Sequence, residues 1–317
     1  MNKKLSLLLA VFFITCGVEA RILRTNNTPG SSAEFSSLSS AYTAAAEGDT
    51  IYLEGSTTAY LDYGASFTIN KQLTILGPGY WLVDNGITHY GTSAAFLGNS
   101  TKLIIAKEGV VIRGLYLRNI LIKTSNVVIN RCNIESISFE DTAHDIVIHQ
   151  NYITYDIGGP GNAFNISITN NIINGSYGIT RLYDSYIAYN HIKVYEISGD
   201  LVKSTTFKNN IIHVTTYSGY TPDSSCSYDD SNYKKDWALQ CLGGDTSFKT
   251  DKDYQLLANS PLKTAGTDGG EIGAFGGNDP YVISGIPNVP LIRNLEVPAS
   301  ANEVDGLQVK VTITTER

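Results

Sequence analysis

The feature that most constrains this chain is a short segment that recurs every 19 or 20 residues through its central third. Five copies align on one column of small side chains: Cys132, Asn151, Asn171, Asn190 and Asn210. Each copy has an isoleucine or phenylalanine three positions before the column and an isoleucine two positions after it. Because side chains alternate between the two faces of a strand, residues five apart cannot both point inward along one straight strand. A turn must therefore lie between them.

We expect the asparagine to lie in that turn, since asparagine adopts the left-handed backbone conformation more readily than most residues. Side-chain amides one rung apart can also form a hydrogen-bonded ladder. Two short strands per coil that meet at such a turn predict an all-β fold, a right-handed parallel β-helix. Residues 110–117 fit the same frame one rung upstream, with Leu115 in the column. Helical repeats do not fit, because the segments lack an apolar stripe with a period of 3.6 residues.

A second column of turn-forming residues lies six positions before the first: Asn126, Asp145, Asn165, Asp184 and Ser204. We expect these residues to open the next strand, as Asp and Asn do in turns. Rungs stack about 4.8 Å apart, so Asp145 and Asp184 would lie roughly 10 Å from each other. A calcium ion bound near this column is the alternative, because calcium takes six to eight oxygen ligands. The sequence indicates no other cofactor.

The first 20 residues have the organisation of a secretory signal peptide. Two lysines precede an apolar run over residues 5–18, and Val18-Glu19-Ala20 offers small residues where a signal peptidase cleaves. The run is shorter than the roughly 20 residues that span a bilayer. Lipidation at Cys16 is not expected, since the two residues before it are not the small ones that a lipobox requires. The sequence thus predicts a secreted, periplasmic or cell-surface protein.

The mature chain is predicted to comprise a β-helix domain over residues 21–286 and a strand-like tail over residues 287–317. A short helix at the start of the domain should cover the first coil, with one apolar face formed by Phe35, Leu38, Tyr42 and Ala45. Residues 49–53 read as the first strand. Residues 307–313 alternate between apolar and polar, so the tail should either pair along the solenoid or form a small appendage.

Charge and cysteine content narrow the classes of partner. The formal net charge of −7 argues against nucleic acid, which would require a basic face. No later segment is long and apolar enough to span a membrane.

Cys132 is expected to be a buried free thiol. Cys226 and Cys241 either pair in an oxidising compartment or stay reduced, since connectivity cannot be deduced from sequence.

Two segments carry a resemblance to known proteins. Residues 45–53 resemble the opening of many secreted pectate-lyase-like β-helix proteins. Residues 254–256 (Tyr-Gln-Leu), 259–261 (Asn-Ser-Pro) and 271–277 (Glu-Ile-Gly-Ala-Phe-Gly-Gly) are similar to the closing segment of right-handed β-helix proteins from Bacteroidetes. This resemblance implies the fold and an extracellular compartment. It does not imply one activity, because a fold hosts many functions.

Signs of catalysis are weak. A polysaccharide lyase must neutralise a uronate carboxylate and abstract the neighbouring proton, with calcium or Arg and a basic residue. Candidate charged residues are scattered over several rungs: Asp156, Arg181, Lys193, Glu196, Asp200 and Lys203. Asp229-Asp230 is an adjacent pair of acids, and we interpret it as part of a loop. The three histidines near the rungs occupy different frame positions, so they do not predict a metal site: His149, His191 and His213.

The remaining signal is aromatic. The chain has 20 tyrosines, whose flat apolar face and polar tip suit contact with sugar rings. We predict a ligand-binding face with Thr169 and Ala188 among its outward residues and with these binding residues: Tyr186, Tyr189, His149, Lys208 and Arg181. No catalytic residue is assigned. The function predicted first is polysaccharide interaction without established catalysis. The alternatives are a polysaccharide lyase, acting by calcium- or Arg/Lys-assisted β-elimination on a uronate polymer, and a structural or adhesive surface protein.

Overall fold

The computed structural model describes residues 20–62, 64–86, 94–175, 178–194, 196–197, 202–214, 223–228, 232, 240–244, 248–288, 291–298, 300 and 306–314. The elements in chain order are β1 (Ile22–Thr25), α1 (Leu38–Ala44), β2 (Thr50–Leu53), β3 (Ser66–Ile69), β4 (Thr74–Leu76), β5 (Lys102–Ile105), β6 (Val111–Arg113), β7 (Tyr116–Ile122), β8 (Val128–Asn130), β9 (Asn133–Phe139), β10 (His144–His149), β11 (Tyr152–Gly158), β12 (Ala163–Thr169), β13 (Ile172–Asn174), β14 (Gly178–Ile179), β15 (Leu182–Tyr183), β16 (Tyr186–Ala188), β17 (His191–Val194), β18 (Glu196–Ile197), β19 (Val202–Lys203), β20 (Thr206–Lys208), β21 (Ile211–Val214), β22 (Ser227–Tyr228), β23 (Leu291–Glu296) and β24 (Lys310–Thr314). Short 3₁₀ turns lie at Asp251–Tyr254, Pro261–Thr264 and Ile283–Gly285.

Two parallel sheets run the length of the solenoid. Within the described ranges, sheet A has 12 strands, with the path β1-β2-β4-β6-β8-β10-β12-β16-β20-β22 and the side strands β15 and β19. Sheet B has ten strands, with the path β21-β17-β13-β11-β9-β7-β5-β3 and the side strands β14 and β18. The chain alternates between the sheets, so each coil adds a strand to both. This is the parallel β-helix that the repeat predicts.

Stacked isoleucines fill the interior. In sheet A, the residue three positions before the asparagine column pairs in register with its equivalent on the next rung: Ile112, Ile129, Ile148, Ile168, Ile187 and Phe207. In sheet B, the residue two positions after the column does the same: Ile134, Ile153, Ile173, Ile192 and Ile212. All of these side chains are at most 2% exposed. The two apolar positions of each repeat thus face each other across one continuous core.

The turn between the sheets differs from the prediction in one respect. The residue with left-handed backbone is the one before the asparagine column, with φ between 54° and 56°: Arg131, Gln150, Asn170, Tyr189 and Asn209. The asparagine that follows points inward and is fully buried. A buried amide satisfies backbone groups at the corner, so asparagine is needed for its hydrogen bonds and not for its backbone conformation.

The predicted ladder is present along the buried column. Asn171 Oδ1 accepts from the backbone N of Asn151 (2.8 Å) and from its Nδ2 (3.0 Å), and Asn190 Oδ1 does the same for Asn171 (2.8 and 3.0 Å). Asn210 continues the pattern, and Asn232 extends it by a further rung, 22 residues on. The repeat does not predict Asn232, because the intervening loop breaks the period of 19 or 20 residues.

The second column also forms turns. All five of its residues have φ between 49° and 55°, as predicted: Asn126, Asp145, Asn165, Asp184 and Ser204. Asn165 Nδ2 donates to Asp145 Oδ1, and His144 Nδ1 lies 2.7 Å from Asp145 Oδ2. The hydrogen bond with His144, followed by the one from Asn165, lowers the pKa of the Asp145 carboxyl.

The N-terminal end is closed by α1, as predicted, but the helix is shorter than expected, since Phe35 lies before it and Ala45 follows it as the C-cap. The Ser37 side chain accepts from the backbone N of Ser40 and caps the helix, and Leu38 and Ala41 are fully buried against the first coil. The prediction that the strand at residues 49–53 comes first was wrong. Strand β1 precedes it and pairs in parallel with β2, with Ile22 opposite Thr50.

The C-terminal part of the β-helix region folds back over the outside of the solenoid. We call residues 248–288 the C-terminal strap. Its Tyr254, Leu262 and Ile272 are at most 2% exposed and form a second apolar core with outward residues of sheet B, among them Tyr152 and Ile172. An outward position on a solenoid is normally exposed. The burial of these residues therefore means that the strap covers the outer face of sheet B where its strands begin.

The cysteines and the tail complete the fold. Cys132 is a buried free thiol, as predicted, and Cys226 and Cys241 are also free. Cys226 Sγ donates to Val202 O (3.3 Å), in sheet A. Cys241 Sγ lies 3.8 Å from His191 Nε2, in sheet B, so the two thiols contact different sheets. In the tail, β23 and β24 pair with each other as an antiparallel ribbon. No helix within the described ranges is long and apolar enough to cross a membrane.

Candidate functional site

The predicted ligand-binding face lies on the outside of sheet A, and only part of it is open. Tyr186, in β16, is 40% exposed. Ala188, two residues later, was expected to be outward and accessible but is fully buried. It sits directly before the left-handed corner, where the C-terminal strap crosses the rungs. Lys208 pairs in register with Ala188 and is half-buried.

The strap holds two other predicted residues. His149 Nε2 lies 3.0 Å from Asp279 Oδ2, and its Nδ1 lies 2.9 Å from Thr169 Oγ1. Burial lowers the pKa of His149. Tyr189 donates from its hydroxyl to Asp268 Oδ2 (3.1 Å). These side chains therefore make structural contacts to the strap, and ligand contact through them stays a prediction.

Arg181, the last predicted binding residue, lies at a turn before β15 with φ 57° and is half-buried. Its backbone O accepts from the N of Ala163 on the preceding rung. The charged residues considered for a lyase are also dispersed: Lys203 belongs to sheet A, whereas Lys193 belongs to sheet B. Asp200 and the Asp229-Asp230 pair lie outside the described residues.

Metal ligands do not cluster in the described part of the chain. No group of three or more His, Cys, Asp or Glu side chains there is arranged to hold an ion. His149 belongs to sheet A, while His191 and His213 belong to sheet B, as the frame positions predict. Calcium binding stays an untested prediction.

A different site emerges on the outside of sheet B. A cleft of about 320 Å³ lies between the outer face of β7, β9 and β11 and the loop that follows β4. We call it the sheet B cleft, and its lining includes Trp81, Asp84, Tyr116, Arg118, Glu135 and Thr154. Its volume is within the range of small-ligand sites, about 300–1,000 Å³.

Arg118 is the central polar group of the cleft. Its Nη1 donates to Glu135 Oε2 (3.1 Å) and its Nη2 to Asn99 Oδ1 (2.8 Å). The guanidinium lies 5.9 Å from the ring centre of Phe96 and 5.7 Å from that of Tyr116. Among the described residues, its Nε has no hydrogen-bond partner, although it is buried. The two hydrogen bonds thus hold the side chain in one orientation and leave its Nε–H without a partner among the described residues.

Trp81 forms a wall of the cleft in a constrained conformation. Its φ of 48° lies in the left-handed region, which is rare for a bulky residue and marks local strain. Its ring packs edge-on against Tyr80 (5.4 Å) and Tyr152 (4.7 Å). The strap fixes this loop: Ser284 O accepts from the N of Tyr80 (2.8 Å), and Asp251 Oδ1 accepts from Asn85 Nδ2 (2.8 Å).

The charges of the cleft are mixed. Arg118 is matched by Glu135, and Asp84 adds a second carboxylate. Asn133 and Thr154 add an amide and a hydroxyl to the lining. Such groups offer donors and acceptors to hydroxyl groups, and the aromatic side chains offer apolar surface. The arrangement suits a neutral ligand rich in hydroxyl groups better than a polyanion.

The repeat does not predict this cleft. Arg118 and Glu135 occupy equivalent outward positions one rung apart, 17 residues along the chain, so their ion pair could have been inferred from the register. Trp81 lies in an irregular loop, and its place opposite these two residues depends on the strap. No periodic pattern in the sequence predicts where the strap holds this loop.

A second depression, of about 410 Å³, is lined by strap residues and by Leu242. It is more open, and its charged residues Lys263 and Glu271 already pair with each other at 2.7 Å. We therefore regard the sheet B cleft as the better candidate.

Comparison with known proteins yields one similarity of fold. No protein-family model and no curated protein matches the chain. Among solved structures, it is similar to the crystal structure of pectate lyase Pel9A, with a TM-score of 0.40 and 15% sequence identity over 83% of this chain and 98% of that one. The assignment of the parallel β-helix rests on the strand pairing described above.

Proposed function

We propose that this chain is an exported β-helix protein that binds a polysaccharide, with neutral sugar residues seated in the sheet B cleft. The observation that carries the proposal is the convergence of Trp81 and Tyr116 with Arg118 and Glu135 in one concave site. Sugar rings present apolar C–H faces and hydroxyl edges. Aromatic side chains suit the former, and fixed polar groups suit the latter.

The orientation of Arg118 supports binding through hydroxyl groups. Because Glu135 and Asn99 hold its guanidinium at 3.1 and 2.8 Å, little side-chain entropy remains to be lost when a ligand accepts from it. Glu135 is 36% exposed and keeps acceptor capacity for a sugar hydroxyl. The two carboxylates in the lining and the net charge of −7 disfavour a polyuronate.

The test is binding of the chain to a panel of neutral and acidic polysaccharides, followed by Kd measurement for each retained polymer. We expect Trp81→Ala and Arg118→Ala each to weaken binding by about tenfold, which corresponds to about 1.4 kcal/mol. Retention of acidic polymers alone would contradict the charge argument.

The matched control is Tyr186→Ala, which removes the most exposed residue of the face predicted from sequence. It should leave Kd unchanged. If Tyr186→Ala weakens binding while Trp81→Ala does not, the ligand lies on sheet A. Ultraviolet absorbance of the same mixtures would reveal unsaturated uronide ends, and their formation would establish a lyase instead. Absence of binding to every polymer would leave a structural or adhesive role.

A further inference from the structure

The side chain of Asp49 is a buried hydrogen-bond acceptor, and two of its donors belong to Arg21, the residue before β1. Asp49 directly precedes β2 and is fully buried. Its Oδ1 accepts from the backbone N of Arg21 (2.9 Å), and its Oδ2 accepts from the backbone N of Ala46 (2.8 Å) and from Arg21 Nη2 (2.8 Å). Burial raises the pKa of Asp49, but these hydrogen bonds outweigh it and bring the pKa to about 2. The buried group is therefore a carboxylate.

A buried carboxylate is costly unless positive charge compensates it. The guanidinium of Arg21 supplies one positive charge, but its side chain is 58% exposed, so solvent screens it. The nitrogen that reaches Oδ1 is the main-chain nitrogen of the same residue. In an uninterrupted chain this atom is a neutral amide donor.

Arg21 is also the residue that follows the predicted signal-peptidase site. We propose that cleavage of the Ala20–Arg21 peptide bond turns this nitrogen into an α-ammonium group, and that Asp49 is the receptor for the new amino terminus. Hydrolysis consumes one water, leaves a carboxylate on Ala20 and releases an amine on Arg21, which takes up a proton at neutral pH. The hydrogen bond to Asp49 then becomes a salt bridge.

The surrounding geometry needs no rearrangement. Thr50 donates from its N to Arg21 O (2.8 Å), and β1 begins at the next residue, so residue 21 is already fixed against β2. Ala20 is exposed, and its removal takes away no packed side chain. Within the described residues, the first one that is hydrogen-bonded to β2 is thus the first residue after the predicted cleavage site.

The first measurement is the intact mass and N-terminal sequence of the protein exported by a host that processes signal peptides. We expect a chain that begins at Arg21 without added lipid. A chain that begins at Cys16 with a lipid mass, or at any other residue, would overturn the proposal.

The second measurement compares two chains released from a fusion, one starting at Arg21 and one retaining Ala20. The Arg21 form should unfold about 3 °C higher, a shift typical of one added interaction in a chain of this size. In an Asp49→Asn background the difference should vanish. Equal unfolding temperatures in the native background would refute docking.

A third readout does not depend on whether Asp49→Asn folds. The rate at which an amine reagent labels the α-amino group reports its free, unprotonated fraction. In the Arg21 form, labelling should be at least about tenfold slower than in the same protein unfolded, which corresponds to one pKa unit above the ordinary 7.7–8.0. The Ala20 form should be labelled at nearly the same rate folded and unfolded. Fast labelling of the folded Arg21 form would count against the salt bridge.

Discussion

At the scale of single residues, two neighbouring positions have different structural roles at each corner of the solenoid. The asparagine supplies buried hydrogen bonds, and the residue before it adopts the left-handed conformation. The second role tolerates Arg131, Gln150 and Tyr189, because each of these side chains contacts the strap. The repeat predicted the ladder correctly. It assigned both roles to asparagine, since a one-dimensional pattern cannot separate adjacent positions of one turn.

Replacing Asn171 by Ala tests the ladder. The change removes the Oδ1 that accepts from Asn151 N and Nδ2. The buried Asn151 N loses this partner, whereas Asn151 Nδ2 keeps its bond to Ile129 O. The Nδ2 that donates to Ile148 O is lost as well. Each unsatisfied buried group costs about 1–3 kcal/mol, so we expect a loss of about 3 kcal/mol in the free energy of unfolding. Denaturant titration measures it. Asn162→Ala, at an exposed position, is the control and should change stability by less than about 0.5 kcal/mol. Equal losses in the two variants would contradict the ladder's role.

At the scale of elements, the strap determines which outward positions become core. His191 begins β17 and points outward, yet it is 2% exposed, because the strap packs over it. Its Nδ1 accepts from the backbone N of Ala274 (2.9 Å), and its Nε2 lies 3.8 Å from Cys241 Sγ. Burial lowers the pKa of His191 to about 3 and raises the pKa of the Cys241 thiol to about 12. Both groups are neutral in the folded protein.

His191 should make strap attachment dependent on pH. In the unfolded chain the imidazole binds a proton below its ordinary pKa of 6.5, whereas in the folded chain it does so only near 3. The unfolded state therefore holds more protons between these values, and stability falls as the pH drops from 6.5 towards 3. Protonation would also turn Nδ1 into a donor facing the N–H of Ala274. Unfolding measured from pH 7 to pH 4 should show a shallower decline in His191→Gln; parallel curves would exclude this origin.

At the scale of the whole molecule, the solenoid was predictable and the strap was not. Each rung meets a near copy of itself, so a column of equivalent residues in the sequence is a column of contacts in space. The strap meets different rungs at different points, through Thr267 on Asn209, Ala274 on Asn170 and residue 279 on Gln150. These contacts join residues 58 to 129 positions apart without any period. The sheet B cleft depends on the same strap, which is why no pattern predicted Trp81 beside Arg118.

This architecture should let the strap open separately from the solenoid, because each rung keeps its contacts with the neighbouring rungs when the strap is lost. Tyr254 is 2% exposed and contacts the rings of His191 and Tyr152 at 6.0 Å, so it links the strap to two rungs. Tyr254→Ala should cost about 3–5 kcal/mol, the range for a buried aromatic side chain. The first effect should be local: in hydrogen exchange, strap amides such as Gly273 N should exchange faster while the rungs stay protected.

Phe207→Ala is the matched comparison, since this ring is equally buried but lies inside the solenoid. Phe207→Ala should speed hydrogen exchange in the rungs on either side as well as in the strap, because the strap packs on intact rungs. The rungs, by contrast, keep their own asparagine ladder when the strap opens. Two variants with a similar loss in the free energy of unfolding would thus give different patterns of hydrogen exchange. If Tyr254→Ala opened rungs and strap together, the strap would belong to the same folding unit as the solenoid, and separate opening of the strap would be excluded.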